Sequence, residues 1–451
     1  REALLAELAP PADPEVAAQV DEVRALLAKI SANTGTGRHD QSRTLARDAV
    51  ARAEALGYRP LTAEALVSLG RLQEQAGELA EAETSLQRAY WAAEASHHET
   101  TKAEAAALIV TVVGVRLARP GDVNVWRELA LAILERVGQG REVQGTVLSS
   151  LGALARHQGD LARALDYYKR ALELYLALRG PEHPTVALAR NNVAAVLAVT
   201  GERSEALAQF EAALASLEAS FGPRHPLVGY VLINIGMIQY VLGDLDRAAA
   251  FQERALTLYD ELGPDHPNVA AASNNLATVH LARRDYDLAR DHLDVALAIR
   301  ERHLDLDHPD LAPTLINTGM VALEEGSLDD AERYFLAAAS ILERHFGPDT
   351  PALFYSLTGR GRLELARGRP YAATLLLEEA LTKTRLAADD RELALCQFAL
   401  AQALVELHGV DAQALELAGR ARAAYDVDDV HLAARRDEIA AWMRSVAPGG
   451  S

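Results

Sequence analysis

Apolar residues recur at spacings of three and four along nearly the whole chain, and no stretch shows sustained alternation of apolar and polar residues. The first pattern is typical of an amphipathic α-helix that buries one face, whereas the second would indicate a half-buried β-strand. Glycine and proline interrupt the apolar pattern at regular intervals, which indicates helices joined by tight turns. The sequence therefore predicts an all-α protein.

The motif Gly-Pro-x-His-Pro occurs at 180–184, 222–226 and 263–267, and two degenerate copies, DLDHP and GPDTP, follow it. These turns set a period of 42 residues, with one interval of 41. Each copy then carries a small residue, a turn residue, an alanine, a position that is bulky in most copies, and a second alanine. One copy has Gly319, Gly326, Ala331, Phe335 and Ala338 in these positions. This order predicts two antiparallel helices in close contact, in which the bulky side chain fills the gap above the small residue.

These residues resemble the tetratricopeptide repeat, and the 42-residue form with GPDHP and NNLA is similar to the repeats of kinesin light chain. The resemblance implies a right-handed superhelical α-solenoid of about ten helical hairpins, with a C-terminal helix near 430–446 that caps the exposed apolar end. The predicted segments are divergent hairpins at 1–99, a degenerate hairpin or joint at 100–140, six regular repeats at 141–386, and a last part at 387–451 with the last hairpin, the capping helix and a short disordered tail.

The histidines of the repeated turns lie in equivalent positions, at 183, 225, 266 and 308. Each precedes a proline, which pushes it out of helical geometry and into the N-cap position, where a side-chain acceptor can bind a free backbone N–H. Thr350 occupies this position in the following copy, and threonine is a good cap but a poor metal ligand. We therefore interpret these histidines as capping residues. We interpret the cluster from His303 to Asp310 as a solvated turn, because its spacing matches no established metal-ligand motif.

Charge and motif content argue against several classes of function. The chain has 45 basic and 64 acidic residues, so nucleic acid, which requires clustered lysine and arginine, is excluded as an expected partner. No apolar run is long enough to cross a membrane. The single cysteine, Cys396, lies in an apolar helical stretch, which favours a buried structural thiol and a reducing, cytoplasmic location. Phosphate-binding loops, metalloprotease helices and kinase motifs are missing from this sequence, so we expect no catalysis, cofactor or metal.

The first helix of each hairpin is expected to line a concave groove with the side that it does not use for packing. Two columns of residues fall on this side, one of apolar residues and the other of asparagines. The alternative is that the apolar residues pack against neighbouring helices, and the resemblance implies that the asparagines bind either a peptide backbone or the next repeat. Arg156 and Arg362 also map toward this side. The candidate groove residues are Asn191, Asn192, Tyr230, Ile233, Asn234, Met237, Tyr240, Asn274, Asn275, Ile316, Asn317 and Met320.

The sequence thus predicts a module that binds a peptide or partner protein in its groove. The opening PPADPEVAAQVDEVRALLAK and the following ARAEALGYRPLTAEALVSLGRL resemble the C-terminal region of large bacterial Ser/Thr protein kinases of the myxobacterial type. This resemblance, and a sequence that begins without Met, imply a recruiting or sensory arm for a kinase domain located upstream. Two alternatives stay open: a stand-alone receptor for a signalling peptide, and a structural scaffold that self-associates.

Overall fold

The structure is a computed structural model that describes residues 11, 13–34, 39–117, 119–137, 142–383, 390–426 and 429–446. Within these ranges the chain forms 21 α-helices and no β-strand, which confirms the predicted all-α class. The predicted disordered tail lies outside the described residues. The helices are α1 (Pro14–Thr34), α2 (His39–Leu56), α3 (Arg59–Gln75), α4 (Leu79–Ala95), α5 (Glu99–Thr111), α6 (Pro120–Val137), α7 (Glu142–His157), α8 (Leu161–Arg179), α9 (Pro184–Thr200), α10 (Arg203–Phe221), α11 (Pro226–Leu242), α12 (Leu245–Asp260), α13 (Pro267–Arg283), α14 (Tyr286–His303), α15 (Leu311–Glu324), α16 (Leu328–Phe346), α17 (Leu353–Ala366), α18 (Pro370–Lys383), α19 (Asp390–His408), α20 (Ala412–Ala424) and α21 (Val430–Val446).

Consecutive helices pack against each other in pairs, from α1 with α2 to α19 with α20. We call the first helix of each pair the A helix and the second the B helix. Each B helix from α2 to α8 and from α12 to α18 also packs on the A helix that follows it. The described residues therefore form ten hairpins and a final helix, α21, and the predicted α-solenoid is confirmed. The degenerate stretch is one of these hairpins, with a π-helical turn at Val112–Arg116 between α5 and α6.

The chain divides into two compact units, unit 1 at residues 1–228 and unit 2 at residues 229–451. Each unit has a core of alanine and branched aliphatic side chains between its A and B helices. In unit 1 the fully buried large residues include Leu86 and Ile109, and in unit 2 they include Phe335. The four segments expected from the sequence stay a prediction.

Close contact between the helices of a hairpin depends on the small-residue column. A Cβ atom added at Gly152 would lie 2.8 Å from the ring of Tyr168, and one at Gly319 would lie 2.7 Å from the ring of Phe335. Both distances are far inside van der Waals contact, so an added methyl group at either position would force the facing ring to move. The predicted small-against-bulky packing is therefore confirmed.

Three of the four histidines of the repeated turns act as helix caps. Nδ1 of His183 accepts a hydrogen bond from Thr185 N at 3.2 Å, and Nδ1 of His266 accepts one from Asn268 N at 3.1 Å. His225 makes the equivalent bond to Leu227 N at 3.2 Å. His308 accepts from Asp310 N at 3.1 Å, but α15 begins only at Leu311, so this bond holds a turn ahead of the helix and the prediction that His308 caps the helix is wrong. An imidazole nitrogen that accepts a backbone N–H satisfies one of the donors that a helix start leaves without an intrahelical partner.

The prediction that Thr350 caps a helix in the same way is wrong. The helix of that copy, α17, begins only at Leu353, and Ala352 occupies its N-cap position without a side-chain hydrogen bond. Pro351 and Ala352 form a turn before the helix, and the carbonyl of Thr350 accepts a hydrogen bond from Leu353 N at 3.2 Å. The chain thus replaces a side-chain cap by a backbone turn in this copy.

Cys396 is fully buried in α19, as predicted, and its Sγ lies 3.7 Å from the carbonyl oxygen of Leu377. Burial raises the pKa of this thiol to about 11, although Thr358 opposes the shift by hydrogen bonding. None of the helices in the described ranges has both the length and the apolar character needed to cross a membrane.

Candidate functional site

One side of the A helices in unit 2 stays at the surface. The cause is visible in α11, where Gly229 faces the ring of Tyr259 and Gly236 faces Gln252, so that the residues about a quarter turn away point out of the hairpin. Repeating this position through the following A helices gives one set of residues, which we call the A-helix stripe. It consists of Tyr230, Asn234, Met237, Asn275, Thr278, Asn317, Met320 and Arg362.

Two large apolar side chains of the stripe are exposed on α11. Tyr230 is 45% exposed and Met237 is 37% exposed. They are seven residues apart, which places them on the same face two helical turns from each other, and the half-buried Asn234 lies between them. Methionine is flexible and polarizable, so it adapts to apolar groups of different shape.

Polar side chains connect the stripe from one repeat to the next. Nδ2 of Asn317 on α15 donates hydrogen bonds to Oδ1 of Asn274 at 3.2 Å and to Oγ1 of Thr278 at 3.1 Å, both on α13. The asparagine column therefore does contact the neighbouring repeat, which is one of the two roles that the sequence left open.

At α17 the stripe ends in an ion pair. The guanidinium of Arg362 pairs with the carboxylate of Glu324 and also lies 3.6 Å from Sδ of Met320. The hydroxyl of Tyr286 donates to Glu324 at 3.0 Å. Burial alone would raise the pKa of Glu324, but Arg362, Arg435 and the Tyr286 hydroxyl together outweigh it and hold this pKa below its ordinary value. The carboxylate of Glu324 is thus charged and contacts both Arg362 and Tyr286. Its negative charge offsets part of the positive charge of Arg362.

Several candidate residues are buried rather than exposed. Asn274 and Ile316 lie in the interior of unit 2, and Ile233 is half-buried beside the stripe. In unit 1, Asn191 on α9 is buried, while its neighbour Asn192 is half-buried. The structure brings Asn274 and Asn317 together through their hydrogen bond.

Tyr240, another candidate, is only 8% exposed because a residue from the last hairpin covers it. The guanidinium of Arg391 lies 4.4 Å from the centre of the Tyr240 ring and donates a hydrogen bond to the Tyr240 carbonyl. The Tyr240 hydroxyl lies 3.5 Å from a carboxylate oxygen of Glu392, and Tyr425 donates to the carbonyl of Arg391 at 3.2 Å. No periodic signal pointed to Arg391, because it lies outside the regular copies of the repeat.

The A helices of unit 1 carry a more charged surface. Arg71 on α3 pairs with Glu104 on α5, and Oγ1 of Thr111 donates to Oγ of Ser150 at 3.0 Å. Burial raises the pKa of Glu74 on α3, although nearby arginines oppose the shift. Among the described residues of these helices, Val199 on α9 is the one large apolar side chain that is strongly exposed, so no pair like that of α11 is found there.

The structure assigns ordinary roles to the residues first considered as metal ligands. His308 caps its turn, and Asp307 accepts a hydrogen bond from Arg344 at 3.0 Å. In the part of the chain that the structure describes, no three histidine, cysteine, aspartate or glutamate side chains are grouped so that they could hold a metal ion.

A family model described as tetratricopeptide repeat matches residues 22–95, 143–219, 185–261, 230–302 and 310–385. A search of curated protein sequences gave no match.

Solved structures with the same kind of fold were also found. A Rap protein complexed with competence and sporulation factor has a TM-score of 0.57 at 15% identity, over 85% of this chain and 99% of that one. BtubC (BKLC) of P. vanneervenii has a TM-score of 0.40 at 21% identity, over 51% and 91% of the two chains. A kinesin light chain from Podospora anserina with nearly identical repeats has a TM-score of 0.37 at 16% identity, over 46% and 98%.

Proposed function

The chain belongs to the tetratricopeptide repeat family, and we propose that it is a protein-interaction module whose A-helix stripe in unit 2 binds an extended segment of a partner protein. Such repeats are generally protein-interaction modules. In this reading the chain recognises a partner and leaves any chemistry to other domains or proteins.

The observation that carries the proposal is the exposure of Tyr230 and Met237 on one face of α11. Folding leaves 45% of Tyr230 and 37% of Met237 in water. A bound peptide that covered these parts would contribute about 0.6–1.3 kcal/mol for each, which is the exposed share of the ~1.5–3 kcal/mol for burying such a side chain completely. The half-buried Asn275 on the next A helix presents an amide, a group that pairs with the backbone of an extended peptide. Because the helices are already folded, the conformational entropy lost on binding would be mainly that of the peptide.

The proposal is tested with peptides selected from a random library against the full chain, with affinities measured by fluorescence polarisation. We expect Met237→Glu to weaken binding about tenfold or more, because it places a charge where apolar contact is proposed. The control is Leu336→Glu on the B helix α16, where Leu336 is exposed to a similar extent, at 45%. Equal affinities for the two variants would show that the peptides bind elsewhere.

We further propose that this module is the substrate-recruiting or sensory arm of a cytoplasmic Ser/Thr protein kinase. The support is the resemblance of residues 10–29 and 51–72 to the C-terminal regions of such kinases. The open reading frame that encodes this chain tests the idea directly. A kinase catalytic core upstream would support it, and a reading frame that holds only repeats would contradict it.

A stand-alone peptide receptor is the second candidate. The observation in its favour is that the Rap protein with the same fold was solved with competence and sporulation factor. A receptor that signals by changing shape would become more compact on binding its peptide, which small-angle X-ray scattering measures. Unchanged scattering with every peptide that binds would contradict this candidate, and a concentration-dependent mass in sedimentation would favour a self-associating scaffold instead.

A further inference from the structure

Three successive A helices of unit 2 carry most of the A-helix stripe and almost no charge. Residues 226–242 of α11, 267–282 of α13 and 311–323 of α15 contain no lysine, arginine, aspartate or glutamate. Charged residues follow only at two C-terminal ends, as Arg283 and Glu324. The B helices of the same hairpins, α12, α14 and α16, carry five, seven and six charged residues. The uncharged character is therefore confined to the A helices of these hairpins.

A place on an A helix does not by itself require an uncharged side chain. The stripe position directly after the small residue holds Met237 on α11, Thr278 on α13 and Met320 on α15. The same position holds Arg71 on α3 and Arg362 on α17, and each arginine pairs with a glutamate of a neighbouring A helix. The fold thus accepts a charge at this position, and the neutrality of α11, α13 and α15 is a local property of the stripe.

A neutral surface discriminates against charged ligands. The stripe on these helices presents the ring of Tyr230, the thioether of Met237 and the amide of Asn275 to solvent. A charged side chain that covered these groups would lose its water and gain no ion pair, which disfavours binding. An amide, by contrast, bonds well to the N–H and C=O groups of a peptide backbone, which carry no charge.

We infer that the segment bound at the A-helix stripe is extended and has a run of about six residues without charged side chains, an inference that rests on the proposed function. Packed helices lie about 8–10 Å apart, so three successive A helices span about 20 Å. An extended chain advances about 3.3 Å per residue, so about six residues cross this span. Because dissolved salt screens only charges, the affinity for such a segment is nearly independent of ionic strength.

The test selects peptides of about twelve residues from a fully random phage library on the full chain. Peptides at the stripe are those whose affinity changes about tenfold or more with Met237→Glu, in either direction, but not with Leu336→Glu. We expect these peptides to share an uncharged run, and their dissociation constants to change less than about threefold between about 0.05 and 0.5 M NaCl.

Two results of this selection separate the inference from the proposed function on which it rests. A charged residue shared within the run, or a larger change with salt, would overturn the inference and leave the proposed function intact. Peptides that Met237→Glu and Leu336→Glu affect equally would contradict the proposed function itself, and the inference would fall with it.

A nearly isosteric substitution tests the same point from the side of the chain. Asn275→Asp adds one negative charge to the stripe, and its matched control, Asn124→Asp, adds the same charge at an exposed position of α6. We expect Asn275→Asp to weaken binding of the uncharged peptides about fivefold or more, because the carboxylate loses water under the peptide. A new selection on this variant is expected to yield peptides with lysine or arginine in the run.

The Asn124→Asp chain is expected to bind and to select peptides like the wild type. Circular dichroism establishes that both variants are folded. Unchanged affinity of Asn275→Asp for the uncharged peptides, or a selection on this variant that yields no basic residue, would overturn the inference.

Discussion

The guanidinium of Arg391 lies 4.4 Å above the ring of Tyr240 and donates to its carbonyl, although 151 residues separate the two. Arg391 is 95% buried, since only 5% of its surface is exposed. Unit 2 therefore joins its first A helix to its last one through a desolvated cation–π contact, and a residue that the repeat pattern placed in a groove is covered by the chain itself.

Replacing Arg391 by alanine is expected to lower the free energy of unfolding by about 2–4 kcal/mol, because it removes a buried cation–π contact and leaves the Tyr240 carbonyl without this donor. Urea denaturation followed by circular dichroism measures the change. Arg170→Ala is the matched control, since Arg170 lies 5.9 Å from the Tyr167 ring but is half exposed. A loss as small as that of the control would show that the Tyr240 contact is not stabilising.

Two glycine-to-alanine substitutions are expected to have opposite effects on stability. At Gly319 the new Cβ would meet the Phe335 ring at 2.7 Å, so we expect a loss of about 1–3 kcal/mol from overpacking. At Gly419, in the helix α20, no atom lies within 4 Å of the new Cβ, so alanine is expected to add about 0.5–1 kcal/mol through its higher helix propensity. Thermal melting of both variants measures the two changes in stability. The same sign for both would contradict the packing role of the small-residue column.

Stability is expected to depend on pH through His292. Burial lowers the pKa of this histidine and the nearby His280 lowers it further, while Asp291 and Glu253 oppose the shift. Below its ordinary pKa of about 6.5 the unfolded chain binds the proton more readily than the folded one, so stability falls as the pH drops from above 6.5 through the lowered pKa. In His292→Phe, which keeps a ring against His280, we expect a flatter dependence in this window. Identical pH profiles of unfolding for the variant and the wild type would contradict this assignment.

Cys396 is expected to resist thiol reagents in the folded chain. Its side chain is fully buried and its pKa is raised to about 11, so little reactive thiolate is present at pH 8. Labelling with iodoacetamide should be slow without denaturant and fast in urea concentrations that unfold the chain. Rapid labelling of the folded chain would show that the last hairpin opens readily.

Local signals explain which parts of the fold were predictable. A histidine followed by proline indicates a helix cap, and glycine opposite a bulky residue indicates close approach of two helices, so His266 and Gly319 could be assigned from the sequence. The same motif at His308 precedes a turn instead, because α15 begins only at Leu311. Contacts between distant repeats have no periodic signal, so Arg391 over Tyr240 could not. The sequence also could not show which asparagines are buried. Asn274 and Asn275 are adjacent, and only a small rotation of the helix decides which of the two is buried.

The central claim is that the A helices of unit 2 bind a partner segment, and hydrogen–deuterium exchange of the full chain tests it most directly. A selected peptide at saturating concentration is expected to slow exchange in α11, α13 and α15 and to leave the B helices α12, α14 and α16 unchanged. Protection confined to those B helices, or to unit 1, would contradict the claim.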